Sequence, residues 1–139
     1  MSEARNLRKT TYRLYPTPKQ AVALADLKRT HQQLYNAALE ERISARSKAG
    51  KSISYADQCK SLTVLRRDLP EWADAANCSS QQMTLRRLDK AFGAFFRRVK
   101  AGQTPGFPRF KSLGRFSGFS FKSHGDGWRF TPKDGWKHG

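Results

Sequence analysis

The segment 92–111 interleaves phenylalanine with arginine and lysine side chains. At helical spacing, Phe95 and Phe96 fall on one side of a helix, and Arg97 and Arg98 turn to another. Aromatic rings can stack on the flat faces of bases, and neighbouring cations can bind phosphate oxygens. This combination of residues predicts a surface for a polyanion that carries planar groups.

The overall composition indicates the same kind of partner. The chain has 139 residues, with 27 lysines and arginines against 11 aspartates and glutamates, a net charge of +16. That length is enough for one domain, or for one domain with an insertion. Self-repulsion on this scale favours a partner of opposite sign, and nucleic acid is the first candidate. A membrane surface is the lesser alternative.

Several other classes of protein are disfavoured by the sequence. No apolar run approaches the ~20 residues that span a bilayer, and the N-terminal residues lack the apolar core of a secretory leader. The two cysteines, Cys59 and Cys78, form no Cys-x-x-Cys pair. We therefore expect no disulfide framework, no zinc site and no cofactor, and we interpret the cysteines as reduced thiols.

Three helices are predicted between the first residues and Ala101. Thr17 and Gln20 form a capping box around Pro18, and the helix that follows is expected to reach about Ser47 and stop at Gly50. His31 lies on the apolar stripe of this helix and is interpreted as a packing residue.

The second helix is predicted to begin at a capping box of Ser54 and Asp57 and to end at Pro70. A polar connection leads to a third helix, from an N-cap at about Ser79 to Ala101. The apolar side of this helix is formed by Leu85, Leu88, Phe92, Phe95, Phe96 and Val99. Its opposite side carries Arg86, Arg87, Lys90, Arg97 and Arg98. Asp89 lies at the edge of that basic stripe.

Strand patterns flank the helices. Residues 9–15 alternate in a way typical of a β-strand, as do residues 119–121, and residues 125–127 resemble a hairpin turn before a short segment at 128–130. The predicted fold class is therefore α+β. A lone two-stranded ribbon is marginal in water, so we expect further strands from beyond Gly139 or from another molecule.

Several sequence blocks, taken in order, resemble the N-terminal part of the TnpB (OrfB-type) proteins of bacterial transposons, which are relatives of the type V CRISPR effectors. The most specific blocks are Phe95–Lys100 and Gly106–Lys111. The others are Tyr12–Gln20, Leu34–Asn36 with Arg42, Ser54–Tyr55 with Gln58, Gln81–Gln82, Leu85 with Leu88–Phe92, and Pro132–Trp136.

The resemblance implies a specific architecture: a three-helix recognition lobe inserted between the strands of an incomplete wedge-type β barrel. Residues 1–17 would form the first wedge strand, residues 18–102 the recognition lobe, and residues 103–139 the truncated continuation of the wedge domain. The implied partners are a structured guide RNA, target DNA, and a nuclease half on the same or a separate polypeptide. The implied location is the bacterial cytoplasm, in association with the nucleoid.

Five residues are predicted to bind the target-adjacent DNA duplex: Tyr55, Gln82, Arg86, Lys90 and Lys122. Tyr55 has an equally good interpretation as a residue that covers the core at a helix start. Gln82 can pair with adenine through its amide, or it can complete a capping box with Ser79. Lys122 aligns with the family only after a gap.

Five further cations are predicted to bind RNA or phosphate: Arg97, Arg98, Lys100, Arg109 and Lys111. A row of exposed cations follows backbone charge more readily than it reads bases, and simple solvation is the alternative. Phe107 and Phe110 are interpreted as core residues in preference to stacking platforms.

Catalysis is not expected of this chain. Metal-assisted hydrolysis needs converging carboxylates, whereas the acids here are scattered over helices and turns. The main alternative to a recognition module is a stand-alone DNA-binding regulator or transposase remnant of the helix-turn-helix type. An autonomous nuclease is disfavoured, and a subunit that docks onto a separate nuclease remains open.

Overall fold

The first helix, α1, begins where its capping box predicts. The computed structural model describes residues 11–122, and α1 spans Pro18–Ala49. The Thr17 hydroxyl accepts a hydrogen bond from the Gln20 amide at 3.2 Å, and the Gln20 side-chain oxygen accepts one from the Thr17 amide at 2.9 Å. Gly50 ends the helix in the left-handed conformation, with φ 62°, which favours glycine because it has no Cβ. Both predicted ends of α1 are confirmed.

The second helix, α2, spans Tyr55–Asp68, and its predicted capping box is also confirmed. The Ser54 hydroxyl accepts from the Asp57 amide, and the Asp57 carboxylate accepts from the Ser54 amide, both at 3.1 Å. The predicted polar connection after it was only partly right. Pro70 occupies the first position of a short helix, α3 (Pro70–Ala75), which suits a residue without an amide hydrogen.

The predicted basic helix, α4, spans Cys78–Lys100. Its N-cap is Asn77, whose side chain accepts a hydrogen bond from the Ser79 amide at 2.7 Å, so the predicted N-cap at Ser79 was wrong. Asparagine caps helices as well as serine does. Ser79 and Ser80 are therefore residues of α4 itself, and both are buried. Because Ser79 is not the N-cap, Gln82 does not form the capping box that was its alternative interpretation.

The core lies where α1 and α2 pack against α4. It is formed by Leu34, Tyr35, Ala38 and Leu39 of α1, Leu62 of α2, Leu85, Leu88 and Phe92 of α4, and Phe116. The predicted apolar side of α4 is buried only as far as Phe92. Phe95 is half-buried, and Phe96 is 56% exposed. None of the helices within residues 11–122 is both long and apolar enough to cross a bilayer.

Residues 103–122, here called the strap, run over the helices without forming a strand. The Asn36 side chain both donates to the Lys111 carbonyl and accepts from its amide, each at 2.8 Å. Further along, Phe116 enters the core, and the Arg87 guanidinium donates to the Gly118 carbonyl at 2.9 Å. At Lys111 and Gly118 the strap's backbone thus bonds to side chains of α1 and α4.

The predicted α+β fold with an incomplete β barrel is therefore wrong for the described residues, which contain helices and no strand. Residues 11–15 and 119–121, both expected in strands, are non-helical coil. Alternation alone does not form a sheet, because a strand also needs a paired edge, and the described residues provide none. Residues 9–10, the expected hairpin at 125–130 and the block Pro132–Trp136 lie outside the described residues. The division at residues 17 and 102 stays a prediction.

His31 is fully buried between α1, α4 and the strap, as its interpretation as a packing residue predicted. Its Nδ1 lies 2.6 Å from the Leu27 carbonyl and its Nε2 lies 2.8 Å from the Ser80 hydroxyl. The Leu27 carbonyl requires a proton on Nδ1. The single proton of the Ser80 hydroxyl is shared between two acceptors, the unprotonated Nε2 and the Asn77 carbonyl at 2.9 Å. The ring stacks on Phe119 with centroids 4.7 Å apart.

We expect the free energy of unfolding to decrease as the pH falls below about 6.5, the ordinary pKa of histidine. Desolvation by burial lowers the pKa of His31, the positive charge of Arg87 lowers it further, and the Leu27 carbonyl opposes the shift. The unfolded state then takes up a proton before the folded state does. His31's contribution is complete above pH 6.5 and is lost towards the lowered pKa. Urea denaturation across this range should show the decrease, and His31→Gln should abolish it. Identical profiles for both proteins would contradict the assignment.

Candidate nucleic-acid interface

Three of the predicted DNA-binding residues lie one turn apart on α4. Gln82, Arg86 and Lys90 follow one another at intervals of four residues, which places their side chains on one face of the helix. This spacing is local and could be predicted from the sequence once the helix was predicted. The contacts of these residues with side chains from α2 and the strap could not be predicted in this way.

Tyr55 joins this face from the first position of α2. The Arg86 guanidinium lies over the Tyr55 ring, 4.9 Å from its centroid, within the range of a cation–π contact. Burial raises the pKa of the Tyr55 hydroxyl, with the Cys59 thiol adding to the shift and Arg86 opposing it. The phenol is therefore protonated at neutral pH and can donate a hydrogen bond.

Lys122 reaches the same face from the end of the strap. Its ammonium group donates to the Gln82 side-chain oxygen, and its backbone amide donates to the Ser79 hydroxyl at 3.3 Å. Two residues separated by 40 positions in the chain are thus in direct contact. We call the surface formed by Tyr55, Gln82, Arg86, Lys90 and Lys122 the α4 face.

A polar clasp centred on Arg42 connects the three long helices. Arg42 of α1 donates to the Gln58 oxygen of α2 at 2.8 Å and to the Asp89 carboxylate of α4 at 3.0 Å. The Gln58 amide nitrogen donates to the Ala38 carbonyl at 2.9 Å. Sequence reasoning did not assign these roles. The available signal was Asp89, an acid within a basic helix, which indicates a specific cationic partner.

The predicted RNA-binding residues of α4 lie at the opposite end of the helix. Arg97, Arg98 and Lys100 are exposed in its last turn, where cations interact favourably with the helix dipole. From Lys90 to Arg97 the helix rises about 10 Å. No lysine or arginine lies between these two residues, so the predicted basic stripe is not one continuous surface. Arg87 interrupts it, because its guanidinium packs 5.1 Å from the centre of the Phe116 ring.

The two strap cations predicted to bind RNA or phosphate differ in their surroundings. Arg109 is exposed, whereas Lys111 is half-buried and its backbone is fixed by Asn36. Gln32 also donates to the Lys111 carbonyl, at 2.8 Å. The two hydrogen bonds from Asn36 to the Lys111 backbone give Asn36 a structural role that the sequence alone did not suggest.

Phe107 and Phe110 are not core residues. They are 48% and 52% exposed, so the interpretation of both as core plugs was wrong. Phe107 instead packs edge-on against Phe92 and Phe95, with centroids 5.5 Å and 5.3 Å apart. The strap phenylalanine that fills the core is Phe116, at 2% exposed.

Potential metal ligands do not converge in the part of the chain that the structure describes. Within residues 11–122, no three histidine, cysteine, aspartate or glutamate side chains are grouped so that they could hold an ion. Cys59 and Cys78 are both free and half-buried.

Comparison with known families indicates a class of DNA-binding domain. Residues 6–51 match the family HTH_OrfB_IS605, which is described as a helix-turn-helix domain. This segment is thus similar to the N-terminal region of OrfB-type transposases of the IS605 group. The match covers less than half of the chain, and its described part, residues 11–51, holds the single long helix α1. No curated protein matches the chain.

Proposed function

We propose that this chain is the nucleic-acid-binding N-terminal module of a TnpB-like transposon protein, and that its α4 face docks on duplex DNA. The observation that carries this proposal is the convergence of Tyr55, Gln82 and Lys122 from α2, α4 and the strap. Each has a side chain suited to phosphate or base edges. The match of residues 6–51 to a transposase DNA-binding family supports the same conclusion.

The chemistry of the α4 face suits a combination of base reading and phosphate binding. An amide can pair with adenine through one acceptor and one donor, and Lys122 orients the Gln82 amide by binding its oxygen. That oxygen keeps a second lone pair. Arg86, held over Tyr55, loses less side-chain freedom on binding than an unrestrained arginine would, and Lys90 extends the cationic row.

A salt titration tests this proposal directly. If roughly five phosphates are neutralised, the logarithm of duplex affinity should fall with the logarithm of salt concentration with a slope near −4.5. Replacing Arg86 and Lys90 together by alanine should reduce the magnitude of that slope by roughly 2. Fluorescence anisotropy with a labelled duplex measures both values.

The matched control removes the same charge elsewhere. Lys19→Ala combined with Arg29→Ala neutralises two exposed cations on the part of α1 that precedes the core, and it should preserve most of the slope. Equal losses in the two double variants would mean that duplex binding depends on net charge and not on the α4 face.

The RNA partner is a separate part of the proposal. We place it on the exposed cations Arg97, Arg98 and Lys100, with Arg109 from the strap, because the helix rises about 10 Å between Lys90, the last helical residue of the α4 face, and Arg97. A structured RNA from the transposon end should then bind together with duplex DNA. Mutual exclusion of the two ligands in a native gel would contradict two separate surfaces.

A stand-alone helix-turn-helix regulator is the second candidate, and the family match favours it. Such a regulator binds a defined duplex without RNA, whereas a recognition module prefers structured RNA. The described helices favour the recognition module, because α3 and its flanking residues separate α2 from α4, where a helix-turn-helix has a turn of about 3–4 residues. A sequence-specific duplex footprint in the absence of RNA would support the regulator.

We further propose that DNA hydrolysis requires a nuclease half outside this chain, on the same or on another polypeptide. Incubation of the purified chain with plasmid DNA and Mg²⁺ tests this point. Cleavage that is abolished by a substitution within residues 1–139 would contradict it.

A further inference from the structure

A groove lies between the C-terminal parts of α1 and α4, and none of its lining residues belongs to the α4 face. Its volume is about 510 Å³, within the range of small-molecule sites. One wall is formed by Phe92, Phe95 and Phe96 of α4, together with Phe107 of the strap, which packs against Phe92 and Phe95. The opposite wall comes from the last turns of α1 and the loop after Gly50.

The four aromatic rings of this groove pack against one another, and Phe96 and Phe107 remain accessible. Phe92 and Phe96 stack with centroids 6.4 Å apart, and the other contacts are edge-on. Phe107 meets Phe92 and Phe95 with interplanar angles of 88° and 82°. Phe96 meets Phe95 at 64° and is itself 56% exposed, while Phe107 is 48% exposed. Edge-on packing stabilises a cluster of rings and leaves much of Phe96 and Phe107 open to a planar ligand.

The rim of the groove is cationic. Among the described residues that line it, Arg42, Arg46 and Lys51 are charged, and none is an aspartate or glutamate. Arg42 is engaged by the clasp with Gln58 and Asp89, whereas Arg46 and Lys51 are exposed. A ligand that fills the groove must therefore combine flat apolar faces with negative charge.

We propose that this groove binds unpaired nucleotides of a single-stranded polynucleotide, with bases against Phe96 and Phe107 and phosphates against Arg46 and Lys51. A duplex cannot serve, because its bases are stacked on one another and do not present their faces. An apolar protein segment would fill the groove but leave Arg46 and Lys51 without counter-charge. Single strands supply both groups at every nucleotide, and aromatic platforms flanked by cations are the usual means of binding them.

The test compares two strands of equal charge. A labelled oligothymidylate is titrated against the full chain at low ionic strength, beside an abasic strand of the same length. The strand with bases should bind more tightly, by roughly five- to 150-fold for each base that stacks. Phe96→Leu combined with Phe107→Leu keeps apolar packing but removes the rings, and it should abolish most of that preference.

Phe110→Leu is the matched control, because Phe110 is an equally exposed strap phenylalanine that does not line the groove. It should leave oligothymidylate binding unchanged. Circular dichroism spectra of all the variants should match the wild-type spectrum, which would show that their helices are retained. Equal affinity for the two strands would overturn the proposal, and so would unchanged binding in the double leucine variant, which is the result expected of a groove that binds a protein segment.

This inference goes beyond the proposed duplex site and can fail separately from it. The double leucine variant should retain wild-type duplex affinity and its salt slope, and the Arg86 and Lys90 alanine variant should retain the preference for bases over abasic strand. If the wild-type chain failed to bind duplex but kept its preference for the strand with bases, the result would count against the α4 face and leave the groove assignment standing.

Discussion

Replacing Phe116 with alanine is expected to destabilise the chain by about 3–5 kcal/mol, the usual cost of truncating a fully buried phenylalanine. Phe116 is only 2% exposed and is the strap's one residue in the buried core of the described chain. Tyr35 lies 5.9 Å from its ring centre, and the Arg87 guanidinium lies 5.1 Å from it. The substitution leaves a cavity between α1 and α4 and frees Arg87 from an aromatic partner.

Urea denaturation followed by circular dichroism measures this loss. Phe110→Ala provides the comparison within the same strap, because Phe110 is 52% exposed and its truncation should cost well under half as much. Similar midpoints for the two variants would show that the strap does not contribute to the core. Phe116→Ala should also weaken duplex binding, since Lys122 is positioned beside Gln82 by the strap.

Arg42→Ala is expected to cost about 2–3 kcal/mol, mainly because it leaves the buried Gln58 oxygen without a charged donor. Gln58 is 2% exposed, so water cannot readily replace the guanidinium. Asp89 contributes less, because its side chain is 46% exposed and can be hydrated when Arg42 is absent. The cation–π contact of Arg42 with Phe92, at 4.9 Å, is lost as well.

Arg46→Ala is the control for Arg42→Ala. It removes the same charge one turn later on α1, where the side chain is exposed, and it should change the free energy of unfolding by less than about 0.5 kcal/mol. Arg42→Lys should recover part of the loss, because one ammonium cannot reproduce two guanidinium contacts to different residues. Equal stability of Arg42→Ala and Arg46→Ala would show that the clasp is energetically unimportant.

The arrangement of the α4 face shows how far sequence reasoning reached. Its i, i+4 spacing over Gln82, Arg86 and Lys90 follows from the helix alone. The approach of Lys122 depends on the path of the strap, and that path depends on contacts with residues far away in the chain, such as Asn36 and Arg87. Neither contact leaves a local pattern in the sequence.

The sequence by itself determined the helix boundaries that capping chemistry governs, at Thr17, Gly50 and Ser54, together with the strong positive charge. These features depend on neighbouring residues or on composition. The tertiary structure decided that residues 103–122 form a strap where strands were expected, and that Phe116 and not Phe107 fills the core. The physical reason is that a strand needs a partner edge and a core residue needs a matching site, and both depend on residues far away in the sequence. The strap's backbone bonds to helix side chains at Lys111, Gly118 and Lys122, and Phe116 packs beside Tyr35 and Arg87.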